Sequence, residues 1–146
     1  MIHKSYETAE IHALIAHRFP MLLVDRIDVL EPGQHVIGVK TLSASEWWSE
    51  AVDGAFPFAL VIEALAQTSG GLIDGLTDSA EGTVAYFMAA NRVRFRNTAY
   101  AGDRLTLDIT LRQWRRGVCR TRGIASVGSG SIVATAELVT IVRASA

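Results

Sequence analysis

The stretch that most constrains this chain is Phe56-Pro57-Phe58-Ala59-Leu60-Val61-Ile62-Glu63-Ala64-Leu65-Ala66-Gln67-Thr68-Ser69-Gly70-Gly71. It is too long and too rich in Ala and Leu for a strand. Pro57 stands where helices begin, because its fixed φ suits a first turn. Gly70 and Gly71 stand where helices are expected to stop. The apolar residues between them do not keep to one stripe, which predicts a helix buried nearly all round. Yet Glu63 and Gln67 lie inside it, four apart and therefore on one face. A carboxylate among apolar residues is costly unless it is paired or hydrogen-bonded. The sequence therefore predicts a partner for Glu63.

A helix of this kind needs cover on every side. The chain has 146 residues, 49% of them hydrophobic, enough for one domain over residues 1–146 with its own core. That apolar content excludes a disordered chain. No apolar run reaches the length of a membrane span. Residues 1–10 carry charges and no apolar core, unlike a secretory signal. The single cysteine, Cys119, excludes an internal disulfide and fits a reducing compartment, so a cytoplasmic location is expected.

Residues 7–17 read as a short helix with Ile11, Leu14 and Ile15 on one stripe and Thr8 as the N-cap. Pro20 marks an exit into extended chain. Residues 22–30 and 35–42 read as two strands joined by the turn Glu31-Pro32-Gly33-Gln34. Residues 43–55 form a loop containing Trp47 and Trp48. After the long helix comes a polar connection over 74–82. Strands are then predicted over Thr83–Phe95, 104–114, Val118–Val127 and 131–143, with turns at Tyr100-Ala101-Gly102-Asp103, Arg115-Arg116-Gly117 and Gly128-Ser129-Gly130. The result is an α+β fold, one long helix against an antiparallel sheet of about six strands. The remaining cover for the helix would come from a second copy, so a homodimer or higher oligomer is expected.

Charge is distributed unevenly. Residues 1–80 hold eleven acids and four bases, whereas residues 81–146 hold four acids, ten arginines and no lysine. Arg92, Arg94 and Arg96 alternate with Val93 and Phe95, which puts three guanidiniums on one strand face. A basic half suits an anionic partner. The plainer reading is that strand arginines face water and pair with acids of the first half. No nucleic-acid-binding motif accompanies them. His3, His12 and His35 lack ligand-like spacing with Cys119 or the carboxylates, so no metal site and no cofactor are expected.

Four segments in order, His17-Arg18-Phe19-Pro20-Met21-Leu22-Leu23-Val24-Asp25-Arg26, Val61-Ile62-Glu63-Ala64-Leu65-Ala66-Gln67, Ala101-Gly102-Asp103 and Arg115-Arg116-Gly117, resemble the FabZ-type 3-hydroxyacyl-acyl-carrier-protein dehydratases. The resemblance covers nearly the whole chain. It implies the hot-dog fold, a central helix wrapped by an antiparallel sheet, with two sheets running together in a dimer. It implies a histidine that removes the α-proton of a 3-hydroxyacyl thioester and a helix carboxylate, from the other protomer, that assists departure of the β-hydroxyl as water. Backbone amides at the helix start, here Phe58 and Ala59, would hold the thioester carbonyl.

Glu63 matches the family's helix carboxylate, and Gln67 matches the glutamine one turn on. The histidine has no counterpart. Fourteen residues before Glu63 stands Ser49, and counting forward from Glu46 reaches Val52 instead, because the loop is about three residues short. No histidine follows His35. The family's glycine after the helix-start proline is replaced by Phe58, whose ring would crowd the carbonyl site or plug the acyl tunnel.

Each candidate has a plainer reading beside the functional one. Glu63 is either a working carboxylate or a scaffold residue bonded to Gln67 or to a neighbouring loop. His17 is a structural hydrogen-bond partner or a replacement base. Ser49 would be a nucleophile only with a base beside it. Trp47 and Trp48 either pack over the helix start or line a ligand pocket. Cys119 is a small buried hydrophobe. Three functions follow. The chain is an incomplete dehydratase subunit whose heterodimer partner, a paralogue, brings the histidine. Or it is a hot-dog thioesterase using Glu63 alone. Or it binds acyl chains or acyl-carrier protein without turnover. Arg92, Arg94, Arg96, Arg115 and Arg116 are candidates for contact with acidic acyl-carrier protein in all three.

Overall fold

The computed structural model describes residues 1–78, 83–128 and 130–144. Its elements are β1 (Lys4–Tyr6), α1 (Thr8–Leu14), β2 (Arg26–Glu31), β3 (His35–Thr41), a 3₁₀ turn (Glu50–Val52), α2 (Phe58–Asp74), β4 (Thr83–Phe95), β5 (Arg104–Arg115), β6 (Val118–Val127) and β7 (Ser131–Ala144). Among the described residues seven strands form one sheet in the order β1-β2-β3-β5-β6-β7-β4. Every neighbouring pair is antiparallel. α2 packs against β2 through β7. Six strands at about 4.8 Å spacing span about 24 Å, against about 10 Å for a helix, so the sheet must curl around α2 to touch it throughout.

Alternation supplies the inner face. Leu105, Leu107 and Ile109 of β5 are fully buried, as are Leu65 and Leu72 of α2. The β5–β6 hairpin closes through Arg116 (φ 51°) and Gly117 (φ 76°), the two positive φ values that a tight primed turn requires. Cys119 is buried in β6, and that burial pushes its thiol up to about 11, so it stays neutral and packs as a hydrophobe. Among the described residues no helix is long and apolar enough to cross a membrane.

Several expectations from the sequence need correction. Among the described residues the sheet has seven strands, where about six were expected, because β1 pairs with β2 through Lys4↔Val29 and Tyr6↔Ile27. The strand expected over 22–30 begins only at Arg26, since the amides of Leu23 and Val24 bond to the Gln67 side chain instead of a ladder. The helix expected over 7–17 ends at Leu14 with Glu7 as its N-cap. There the Arg18 guanidinium gathers the carbonyls of His12, Ile15 and His17 and draws the chain out of the helix. In β4, Met88 is an extra residue between Phe87↔Thr140 and Ala89↔Val139, and Arg92 with Val93 fills the next irregularity, where Arg92 adopts φ 49°. That bulge interrupts the one-face alternation of Arg92, Arg94 and Arg96, and β4 ends at Phe95, before Arg96. Of the polar connection expected over 74–82, residues 79–82 lie outside the described residues, as does Ser129.

α2 does not stop at Gly70-Gly71 but runs on to Asp74. These glycines serve close packing. A Cβ on Gly70 would meet Ile15 Cγ2 at 2.8 Å, and one on Gly71 would meet Ile27 Cγ2 at 2.7 Å. Ile27 is itself fully buried and has nowhere to retreat. Gly71→Ala gains about 1 kcal/mol of helix propensity and loses more to overpacking, which costs about 1–3 kcal/mol. The expected result is a lower denaturation midpoint with an unchanged slope in urea unfolding.

The helix is not buried all round in the single chain. Ala59, Ile62, Glu63, Ala66 and Gly70, at helical spacing, remain at least partly open. The neighbouring edge strand β4 exposes Tyr86, Phe87 and Met88. The sheet covers one side of α2, and nothing within the described residues fully covers this stripe.

Candidate functional site

Glu63 and Gln67 do share a face of α2. The Glu63 side chain is 25% exposed, and its Oε1 lies 2.9 Å from His17 Nε2. The same oxygen accepts a 2.9 Å hydrogen bond from Gln67 Nε2. Gln67 is buried, and its orientation follows from its other bonds. Its Oε1 accepts from the amides of Leu23 and Val24 at 2.9 and 3.3 Å, and its Nε2 also donates to the Met21 carbonyl at 2.6 Å. An amide turned the other way would set its NH₂ against two N–H donors. Among the described residues no donor engages Glu63 Oε2.

These groups line a cavity of about 560 Å³. Its wall is mixed: Leu14, Ile15, Ala66, Ile73, Val84 and Phe87 are apolar, whereas His12, His17, Glu63, Gln67 and Asp74 are polar. The structure thus supplies the partner that the sequence demanded for Glu63. It comes from residue 17, 46 positions earlier in the chain. From the sequence His17 is a structural hydrogen-bond partner or a replacement base, with no acceptor named, and no local signal marks the pair.

The loop before α2 is built differently. Lys40, buried at the end of β3, pairs with Glu46 Oε1 and donates to the Thr41 carbonyl. Glu46 Oε2 accepts from the Ser43 amide. Ser49 is 5% exposed, and its carbonyl accepts from the Gly54 amide. It does not line the cavity that holds Glu63. Trp47 is half exposed and donates to the Pro20 carbonyl at 3.0 Å, tying this loop to the one that carries His17. Trp48 is buried edge-on against Phe56, with ring centroids 4.9 Å apart. Neither tryptophan lines the cavity.

At the start of α2 the Phe58 ring stacks on Phe95 with centroids 4.3 Å apart. The ring is thereby drawn to β4. The amides of Phe58 and Ala59 are the first two of α2, and a helix start leaves such N–H groups without intrahelical acceptors. The arginines form two separate groups. Arg92 pairs with Glu137 at 3.4 Å, and Arg94 stands opposite Thr135, with Arg96 exposed just beyond. Arg115 and Arg116 are exposed at the hairpin turn beside Val142. Seven residues of β7 separate the two levels, roughly 23 Å. Among the described residues no three His, Cys, Asp or Glu side chains gather as metal ligands.

Chemically, a carboxylate with one oxygen held by two neighbours and the other unengaged at a cavity wall can exchange a proton with a bound hydroxyl or water. Comparison with known proteins identifies the family. The family model described as a FabA-like domain matches residues 15–137. A 3-hydroxyacyl-acyl-carrier-protein dehydratase FabZ from Roseiflexus castenholzii is 39% identical over 132 residues, covering 88% of this chain and 91% of that protein. Among solved structures, the dehydratase heterocomplex ApeI:P from Xenorhabdus doucetiae superposes with a TM-score of 0.75 at 22% identity, covering 90% of this chain and 89% of that one. A mutant of thioesterase PA1618 from Pseudomonas aeruginosa superposes with a TM-score of 0.74 at 12% identity, covering 98% of each chain. The fold is the hot-dog fold, and the chain belongs to the FabA-like family, with FabZ-type 3-hydroxyacyl-acyl-carrier-protein dehydratases as its relatives.

Proposed function

We propose that this chain is one subunit of a dehydratase for 3-hydroxyacyl thioesters carried on acyl-carrier protein, with its site completed by a histidine-bearing partner. The observation that carries the reading is Glu63: it lines the cavity with only Oε1 engaged among the described residues, and by resemblance it matches the family's helix carboxylate, while no histidine follows His35. In the reaction the partner's histidine takes the α-proton of the thioester. Electrons move into the carbonyl, whose oxygen is stabilised by N–H groups at a helix start. The β-carbon–oxygen bond then breaks. Glu63, entering the step protonated on Oε2, gives that proton to the departing hydroxyl, which leaves as water; the α–β double bond remains, and the proton held by the histidine returns to Glu63 through solvent before the next turnover.

The open stripe Ala59–Gly70 of α2 and the edge strand β4 support a second protomer covering this face. A dehydratase heterocomplex of this fold exists in Xenorhabdus doucetiae, which supports a sister chain as that protomer. The deciding experiment is turnover of a 3-hydroxyacyl thioester by the purified chain, alone and then mixed with a histidine-bearing paralogue. Dehydration only in the mixture supports the reading, and dehydration by the chain alone sinks it. Hydrolysis to the free acid, lost in Glu63→Gln, would identify a thioesterase instead. Ligand binding without turnover in either sample would identify a non-catalytic acyl or carrier-protein binder.

The exposed arginines suit an acidic carrier protein. Exchanging Arg94 and Arg96 for glutamate should raise KM for the carrier-bound substrate by roughly 5-fold per charge at low salt. KM for the same acyl group on a small pantetheine thiol should not change. The same pair of assays on Arg115 and Arg116 tells which of the two groups faces the carrier.

A further inference from the structure

We propose that His17 is a positioning residue, whose Nε2–H joins the Gln67 amide in holding Glu63 Oε1 so that Oε2 is the oxygen presented to the substrate. The inference rests on the role of Glu63 proposed above and deepens it. The Gln67 amide cannot turn, because the Leu23 and Val24 amides occupy its carbonyl oxygen. Glu63 Oε1 therefore meets an N–H from Gln67 at 2.9 Å. A carboxylate oxygen only accepts, so the His17 nitrogen 2.9 Å from it carries its hydrogen. That places a hydrogen on Nε2, with Nδ1 directed away from Glu63.

The backbone that presents the ring is fixed too. Arg18 donates to the carbonyls of His17, Ile15 and His12 at 2.7, 2.9 and 2.8 Å, and Trp47 holds Pro20. Other titratable groups around the cavity are His12 and Arg18 from α1 and its exit, Asp74 from α2 and Tyr86 from β4. The Arg18 guanidinium is engaged by those three carbonyls. Asp74 is engaged by the Tyr6 hydroxyl and lies 4.0 Å from Lys4 Nζ. Glu63 is thus the carboxylate to which His17 is committed. With Gln67 alone, one bond at Oε1 leaves the carboxylate free to rotate and exchange its oxygens; a second donor from another direction removes that freedom.

The test uses the dehydrating assembly and two variants, with ring nitrogen NMR of the purified chain as a readout independent of turnover. His17→Leu should lose on the order of 10- to 100-fold in kcat, the scale of a misplaced catalytic group, with KM little changed and melting close to wild type. His17→Gln offers an N–H at similar reach and should recover most of that loss. The His17 nitrogen signals should report a hydrogen on Nε2 and shift in Glu63→Ala. Wild-type kcat in His17→Leu overturns the proposal. Equal damage in both folded variants also overturns it, and would assign the ring a proton-transfer step. If the wild-type assembly dehydrates nothing, the functional reading fails; an unmoved spectrum in Glu63→Ala then disposes of the contact itself.

Discussion

Glu63→Gln lowers dehydration by the assembled enzyme about 10²- to 10⁴-fold, the range supplied by a positioned general acid or base, while the protein stays folded. The substitution separates the two roles that a carboxylate can have on α2. A glutamine oxygen at the Oε1 position still accepts from Gln67 and His17, so the hydrogen bonds that join α2 to the 17–24 segment survive. What disappears is an oxygen at the cavity wall that can carry a proton. The loss therefore falls on kcat, and KM and the melting temperature move little. If Glu63 were only a scaffold residue, the same variant would turn over at the wild-type rate. If it served mainly to bind substrate, KM would rise while kcat held. Steady-state kinetics with a soluble 3-hydroxyacyl thioester, beside a thermal melt, distinguish the three cases.

The parts of this architecture set by local pattern were legible in the sequence. Thr83–Phe95 and Val118–Val127 were predicted with the boundaries the structure has, because period-two alternation and turn residues bound them. The Glu63–Gln67 pair was legible because a four-residue spacing on a helix has one geometric outcome. What was not legible depends on distant chain. Gly70 and Gly71 carry the composition of a helix stop, and only the nearness of Ile15 and Ile27 shows that they are contact points. β1 is three residues long with two polar members and has no pattern of its own until β2 is beside it. The bulges at Met88 and Arg92 leave the composition of β4 unchanged and break its alternation. His17 reached Glu63 through a fold that brings together residues 46 apart. The motif around His17 pointed to the family, while the purpose of the imidazole appeared only with its acceptor.

Gln67→Leu should cost more stability than any other single change at this site, about 2–6 kcal/mol, from the two buried amides of Leu23 and Val24 left unpaired at about 1–3 kcal/mol each. Leucine matches glutamine in bulk and suits a helix, so neither cavity nor propensity offsets the loss. The Leu23 and Val24 amides would lose their acceptor, and the Met21 carbonyl and Glu63 Oε1 would each lose a donor. These groups belong to the segment that enters β2, so the damage reaches the sheet edge as well as the site. Against a typical stability of about 5–15 kcal/mol, the variant should unfold at a far lower urea concentration. Gln67→Glu tests the same hub from the other side. Its carboxylate still accepts from Leu23 and Val24 but now faces Glu63, and two carboxylates at hydrogen-bond distance cannot both ionise. The folded variant therefore holds a proton that the unfolded chain gives up above about pH 4.3. Retained protons favour the folded form as pH falls, so the gain in stability from pH 7.5 to pH 5 should be larger in Gln67→Glu than in wild type. An equal change in urea midpoint in the two proteins would mean that Gln67 and Glu63 are not in contact, and the clamp on the carboxylate would have to be abandoned.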